Sequence, residues 1–492
     1  MRRRSLLGLA LLAPAIASCT PGPSEASRDL VVGATAQPPA LDPVVSDAAA
    51  IPQVLLYNLY ETLLKLDDAG EMQPLLATDW TVSDDRLVYT FTLDDRANFP
   101  GGRKLTATDV VWSIERVRSE GTPVLQAQHA AVDAVEATDE QTVTVRLSRP
   151  SNSWLFSMTS TAGMVFDSEA DGDWASQPAG SGPYTLTSWS KGADLVLGRR
   201  DDYWGDAPYA AQVTIRYFAD PNALNAAMLS EQLDILSNVQ APQALAQFED
   251  PARFTIIEGT TQGEVVMGFN NSGLLADKRL RQAINHAVDR QALLDTVWAG
   301  HGTLIGSMVP PTDPWYEDLS DTYPFDPARA SALLTEAGYT KATPLRLRVP
   351  TIPYATASAQ FVASQLREVG FEVTTDELEF PARWLDLVFT KADYDISIIS
   401  HVEPRDIVKW ADPEYYWRYD NPEVQRLVAE ADVGTQEEQV EKFKQVARIL
   451  AEDAVADFLF LLPNLVVTKP DIDGLPQNAT TLAFDLTDLS RA

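Results

Sequence analysis

The sequence predicts an α/β protein built from more than one domain, and three observations carry that expectation. The chain has 492 residues, 45% hydrophobic and 22% charged, a composition of folded soluble proteins at a length too great for one compact core. Short apolar runs alternate with stretches whose apolar residues recur at three-and-four spacing, the strand-helix-strand order of an α/β lobe. Near the middle, Phe269 to Arg290, FNNSGLLADKRLRQAINHAVDR, ends the apolar run VVMGF with the turn formers Asn271, Ser272 and Gly273 and then opens a helix. Asp277 stands just before Leu280, Ala283, Ile284, Ala287 and Val288, which form one apolar stripe.

Taken from the N-terminus, Arg2, Arg3 and Arg4 precede the apolar run Leu6 to Leu12, too short to span a bilayer, and Ile16-Ala17-Ser18-Cys19 follows it. Residues 1–18 read as an export signal, and the tetrad resembles the lipobox of bacterial lipoproteins, in which the cysteine becomes the lipid-bearing first residue. Arg3-Arg4 before Leu6-Leu7 also fits a twin-arginine signal, so both export routes stay open. Cys19 is the only cysteine, which excludes an internal disulfide, a thiolate nucleophile and a cysteine metal cluster. Residues 19–28 are small, polar and proline-containing, as a tether is. The formal charge of −32 becomes −35 without the three arginines; such a surface repels nucleic acid and anionic lipid and serves solubility.

Leu30 to Ala34 reads as a first strand, stopped by Gln37-Pro38-Pro39-Ala40-Leu41-Asp42-Pro43, where proline forbids ladder and helix alike. The apolar positions from Leu55 to Leu66 suggest a helix, followed by a turn at Gly70 and a break at Pro74. Val82 to Leu93 alternates around Asp84-Asp85-Arg86, a hairpin pattern. Thr106 and Asp109 stand in the relation that caps a helix whose apolar face is Val110, Val111, Ile114 and Val117, with Trp112 at its border. Asp167 to Gly172 opens like a calcium loop, but Pro178 stands where a bidentate glutamate is required, so it reads as a solvated loop. In Gly180 to Leu186 the glycines permit a tight turn and close backbone approach; no GK[ST] follows, so this is not a phosphate loop.

Strands are expected at Gln212 to Phe218 and Thr255 to Ile257 around a helix from Asn222 to Leu229. In the second half, a helix after Asp326-Pro327 stops at Gly338. Leu345 to Val349, a helix from Ala357 to Val369 closed by Gly370, and Phe371 to Thr374 make a β-α-β unit. Asn421-Pro422 opens another helix, Val440 to Ala451 is amphipathic, and Asp457 to Leu465 is an apolar strand returning toward the first half.

The segment FN, a short loop, D, then RxRQAINxAxDR closely resembles the passage from first to second lobe in family 5 solute-binding proteins of ABC importers, the peptide and nickel binders. Leu41-Asp42-Pro43, the F-x-x-G-x-x-x-T-A-x-D-V-x-x-S-x-x-R pattern from Phe99 to Arg116, Gly182-Pro183-Tyr184, Tyr203-Trp204-Gly205 and the run Asp326 to Tyr339 match the same family in the same order. The resemblance implies a two-lobe periplasmic-binding-protein-like fold, type II and three-part, with an extra subdomain in lobe 1. Its implied parts are the lobe 1 core at 29–54, 177–267 and 463–492, the subdomain at 55–176 and lobe 2 at 268–462. It further implies a monomeric, lipid-anchored extracytoplasmic receptor that closes on a small solute, most simply an oligopeptide, and presents it to an ABC permease, with no enzyme activity, cofactor or resident metal.

His129, His286, His301 and His401 are the only histidines, and none pair at metal-ligand spacing on a helix. No HExxH, GxSxG, Walker or dinucleotide-binding sequence occurs. The candidate site is the stretch after Tyr394-Asp395, where a short strand should end at the cleft, as α/β sheets present ligands at strand carboxyl ends. His401, Glu403, Arg405 and Asp406 follow, then Trp410 and Tyr415, charges mixed with aromatic faces that suit the ends and body of a ligand. By resemblance, Trp384 matches a cleft-lining tryptophan, with core packing as its alternative, and Gln37 belongs to a first-lobe loop beside the cleft. The family's peptide binders hold the ligand's amino group on an aspartate here. Ser400 or Val402 falls near that position, so amino recognition requires Glu403 or Asp406 instead. A metal-chelate or other cationic solute, an exported hydrolase and a sensor lipoprotein are the rival readings.

Overall fold

The computed structural model describes residues 28–339 and 342–492; the expected export signal, Cys19 and the expected tether up to residue 27 lie outside the described residues. One sheet of ten strands runs through the molecule in the order 371–378, 343–350, 396–401, 255–269, 456–468, 235–236, 29–34, 212–217, 194–199 and 184–190. Its two central members join the lobes. Thr255–Phe269 pairs antiparallel with Ala456–Thr468 along its length, while only its Glu264–Phe269 half pairs with Ile396–His401 of the second lobe. The far end of Ala456–Thr468 pairs instead with Ile235–Leu236 of the first lobe. The register slips between Thr260 and Glu264, opposite Leu461 and Pro463, so the two spanning strands are irregular at one level. A bulge and a proline there weaken the ladder locally, as a hinge requires.

In the first lobe Asp29–Ala34 pairs parallel with Gln212–Tyr217, and Pro221–Leu229 covers the sheet beside Ile235–Leu236. Inserted into this lobe is a four-stranded antiparallel sheet, ordered 77–82, 88–93, 142–147, 132–137, with the helix Ala107–Glu120 against it. That helix starts at the expected cap: the Asp109 carboxylate accepts the Thr106 backbone N–H at 2.9 Å, and Val110, Ile114 and Val117 are buried. Two sequence expectations change here. The hairpin's first strand is Ala77–Val82, ending where it was expected to begin. The expected helix from Leu55 to Leu66 does not form: a short helix, Ala50–Leu55, ends before Tyr57, whose φ of 66° is left-handed. Every residue from Val54 to Leu64 is buried, because this segment threads between the lobe core and the inserted sheet. Burial on all sides removes the polar face by which a helix is recognised. Gly180 and Gly182 allow the approach; a Cβ on either would lie 2.2 Å from Leu59 O or 2.4 Å from Asn58 O.

The second lobe packs Lys278–Ala287, Arg290–Trp298, Pro327–Glu336 and Pro353–Val369 on one sheet face, and Pro422–Val433 with Gln436–Glu452 belong to a second core. Thr343–Pro350 and Phe371–Leu378 are parallel about the 353–369 helix, which stops at Gly370 with φ 118°. The central motif has structural work. Arg281 donates to the carbonyls of Leu275, Ala276, Asp453 and Ala454, and Arg290 to those of Ile305 and Phe458. These arginines satisfy chain ends that a methylene side chain would leave unpaired.

Candidate functional site

Two cavities open where the lobes face each other. The inner one, about 220 Å³, lies over the hinge and is lined from the first lobe by Thr35, Gln53, Tyr217 and Asn238, from the hinge by Gln262 and Asn464, and from the second lobe by Trp298 and Val402. Among the described residues, no carboxylate, lysine, arginine or histidine lines it. Among its walls Tyr217 Oη, Gln262 Oε1 and Trp298 Nε1 are buried without a hydrogen-bond partner. A hydroxyl, an amide oxygen and an indole N–H left unpaired are costly, about 1–3 kcal/mol each, unless a ligand satisfies them. The outer cavity, about 650 Å³, lies between the inserted sheet's side and the second lobe, with Phe156, Val428 and Phe443 among its apolar walls and Glu403, Arg405 and Asp406 among its charged ones.

Between the two cavities stands the carboxyl end of the strand Ile396–His401. Glu264 is the direct neighbour of His401 across the antiparallel ladder, so both side chains leave the same sheet face. His401 is 8% exposed; its Nε2 lies 2.9 Å from Tyr416 Oη and its Nδ1 3.7 Å from Asp406 Oδ2. One ligand atom each of His401, Glu403 and Asp406 lies within 4.8 Å of the others. Burial pushes the His401 imidazolium down to about 3, with Lys409 adding to the effect, so the ring is neutral at physiological pH. Burial also raises the Glu264 carboxyl, with Asp406 next in effect, and raises that of Asp406, with Glu403 next. Asp313 is pushed up to about 6 by burial in spite of Arg405. Arg405, in the left-handed region at φ 61°, lies with its guanidinium carbon 3.7 Å from the Phe156 ring centroid and 5.0 Å from that of Trp315. Its charge thus bridges the lobes by stacking.

The structure therefore brings His401, Glu403, Arg405 and Asp406 together on the second-lobe wall and leaves the other expected residues apart. Trp384 is 3% exposed, donates to Ser397 Oγ at 3.1 Å and packs edge-on to Tyr416; it fills the lobe's core and lines neither cavity. Trp410, 1% exposed, stacks on Trp417 at 3.8 Å and donates to Met308 Sδ, again core packing. Tyr415 is half-buried against Trp417 and Tyr416 and lines neither cavity. Gln37 follows the cavity residues Thr35 and Ala36, but its Oε1 accepts the Gly192 N–H at 2.6 Å. Aromatic residues near charges in sequence are here mostly the floor beneath the site. Sequence reasoning missed Glu264, whose signal was a lone acid in an apolar strand, and Asp313. It also missed Tyr217, Gln262 and Trp298, which come from three distant segments with no local pattern.

Across the cleft the inserted sheet grips the end of the helix Pro422–Val433. The Asp432 carboxylate accepts from Arg149, from Ser151 Oγ at 3.1 Å and from the Ser153 backbone N–H at 2.9 Å. Asn152 Nδ2 donates to the carbonyls of Ala431 and Gly434 at 2.9 and 3.0 Å, and Arg86 to that of Val433 at 2.8 Å. These donors satisfy the orphan carbonyls of a helix C-terminus and hold the lobes together.

The sequence matches the model of bacterial extracellular solute-binding proteins, family 5, over residues 71–404, more than half of the chain. Protein XP55 of Streptomyces lividans is 32% identical over 330 residues, which cover 65% of this chain and 58% of that protein. The match therefore spans a little over half the length of that relative. The probable D,D-dipeptide-binding periplasmic protein DdpA of Escherichia coli is 27% identical over 481 residues, 91% of each chain. Among solved structures, the oligopeptide-binding protein AppA of Bacillus subtilis, bound to a nonapeptide, superposes with a TM-score of 0.79 at 21% identity, over 94% of this chain and 99% of its own.

Proposed function

The chain belongs to the bacterial extracellular solute-binding proteins of family 5, a family of transport receptors and not of enzymes, and from that premise we propose that it captures oligopeptides for an ABC importer. The observation that carries the ligand class is the inner cavity. Its unpaired Tyr217 hydroxyl, Gln262 carbonyl and Trp298 N–H offer both donors and acceptors, and no charged side chain lines it. A peptide's main chain supplies the complementary groups in every residue whatever its side chains, so such walls read backbone rather than sequence. The larger outer cavity, with Arg405 and apolar Phe156 and Phe443, receives the side chains and chain ends that extend beyond. The names of DdpA and AppA support the same ligand class.

Closure of the lobes about the bulged strands traps the peptide, and the closed form is what the permease meets. The receptor acts outside the cytoplasm. No helix among the described residues is long and apolar enough to cross a membrane. Attachment through lipid on Cys19, and action as a monomer, complete the proposal. Titration calorimetry with dipeptides through nonapeptides tests it. Tyr217→Phe and Gln262→Leu should each weaken binding about tenfold, since a ligand amide then loses one buried partner. The reading is overturned if no peptide length binds, or if peptides are cleaved during the titration.

A further inference from the structure

A ligand that extends from the inner cavity into the outer one has to cross the passage between them, and that passage is narrow. Leu482 is the one described residue that lines both cavities. Around it the chain changes walls between neighbours at two more points: Gln53 faces the inner cavity and Pro52 the outer, and Val402 the inner and Glu403 the outer. The passage is thus a neck bounded by the first-lobe helix Ala50–Leu55, the second-lobe loop after His401 and the return segment that carries Leu482. That segment is strapped down on both sides of the leucine. Before it, the Ala479 N–H donates to Thr260 O at 2.9 Å and Thr480 Oγ1 to Asp67 O at 2.8 Å. After it, the Phe484 N–H donates to Gln53 O at 3.1 Å, and the Phe484 carbonyl accepts from Asn58 Nδ2 at 2.9 Å. Ala483 and Phe484 pack against the first-lobe core, whereas the half-buried Leu482 belongs to no core cluster of the described residues. A backbone fixed at both ends holds its isobutyl group in the neck instead of letting it swing aside.

Resting on the peptide reading, we propose that Leu482 is the residue that sets ligand length: it separates the residues held over the hinge from those that must cross into the outer cavity. A cavity of about 220 Å³ is about 7–8 Å across if round, and an extended chain advances about 3.3–3.6 Å per residue. The inner cavity therefore holds the main chain of about two or three residues. The next residue meets the Leu482 side chain. Passage there crowds packed groups, so a larger side chain at 482 penalises chains that cross and a smaller one favours them. Beyond the neck the chemistry changes from the unpaired polar groups of Tyr217, Gln262 and Trp298 to the apolar walls of Phe156, Val428 and Phe443. A residue that clears the neck gains apolar burial, and one that stops short of it gains none. Affinity against peptide length consequently breaks where the chain outgrows the inner cavity, and the side chain at 482 moves the height of that break.

The test titrates mixed alanine–serine peptides, from dipeptide to nonapeptide, into the full chain and into Leu482→Trp, Leu482→Ala and Leu482→Met by calorimetry. The quantity read is the ratio of the nonapeptide Kd to the dipeptide Kd. Leu482→Trp should raise that ratio about tenfold or more, and Leu482→Ala should lower it about threefold or more. Leu482→Met, of nearly the same volume, should hold it within about twofold. Opposite movement of the ratio by the larger and the smaller side chain is an effect that a merely structural leucine does not produce. A ratio that neither Leu482→Trp nor Leu482→Ala moves, or that both move the same way, overturns the gate, as does a loss of equal size at every length. Where the parent binds peptides and the ratio stays fixed, the gate alone fails. If the parent binds no peptide of any length, the peptide reading fails and the gate falls with it.

Discussion

Replacing Asp432 with alanine cuts the latch between the lobes at the edge of the outer cavity and leaves the walls of the inner cavity untouched. The carboxylate holds the Ser153 backbone N–H at 2.9 Å, the Ser151 hydroxyl at 3.1 Å and the Arg149 guanidinium. The arginine is 52% exposed, so its share is at most about 1 kcal/mol after solvent screening. The two remaining hydrogen bonds to a charged acceptor, one from a backbone amide, bring the total to about 2 kcal/mol. That loss falls on the closed form, because open lobes no longer place residues 149–153 beside Asp432. A penalty of about 2 kcal/mol lowers the closed-to-open ratio about 30-fold. Where closed molecules are the minority before ligand arrives, the whole factor appears in the apparent Kd, since affinity scales with the competent fraction. Calorimetric titration with a peptide reads it, and small-angle scattering of the ligand-free protein reads any widening directly. A Kd within threefold of the parent at unchanged melting temperature would refute the latch.

Three further outcomes follow from the fold. Arg281→Leu removes the donor that serves four carbonyls at two chain turns, and urea denaturation should show a loss of about 2–4 kcal/mol with the inner cavity still able to bind peptide. Gly182→Ala places a methyl 2.4 Å from Asn58 O, and should cost about 1–3 kcal/mol through displaced backbone, again by denaturation. Burial pushes the Glu61 carboxyl up to about 7 from an ordinary 4.5, against hydrogen bonds from Ser181, Tyr203 and Trp204 and the charge of Arg200. The folded state therefore holds a proton that the unfolded chain has released. Stability from this group is fully present below about 4.5 and is lost as pH rises to about 7, a fall of about 3 kcal/mol. The difference in unfolding free energy between parent and Glu61→Gln should track that fall over the same range and stay flat above it; a difference that rises with pH contradicts the assignment.

Much of the fold was legible because its elements announce themselves locally. Gly338 and Gly370 stop helices where left-handed backbone is needed, Asp277 and Asn421 cap them, and Thr106 with Asp109 starts the long helix of the inserted sheet. The segment from Val54 to Leu64 failed for a physical reason: it is buried on every side between two cores, so its apolar pattern has no period to read. The site was legible only in part. The charged cluster at 401–406 follows a strand that had to end at the cleft, and it stands there. Trp384 and Trp410 were drawn in by proximity in sequence, yet tertiary packing turns both into the lobe's core. Gln262 sits in a hinge bulge, Tyr217 at a strand end in the first lobe and Trp298 at a helix end in the second; only the folded chain makes them neighbours.

The most direct measurement is the mass of the intact folded protein, sprayed under native conditions after purification from its own source without a ligand wash. A receptor that traps peptides by closing over the hinge should carry a ladder of adducts whose masses resolve, on dissociation, into unmodified peptide sequences. A single bare mass that no added peptide shifts, or adducts that carry no amino acids at all, would contradict it.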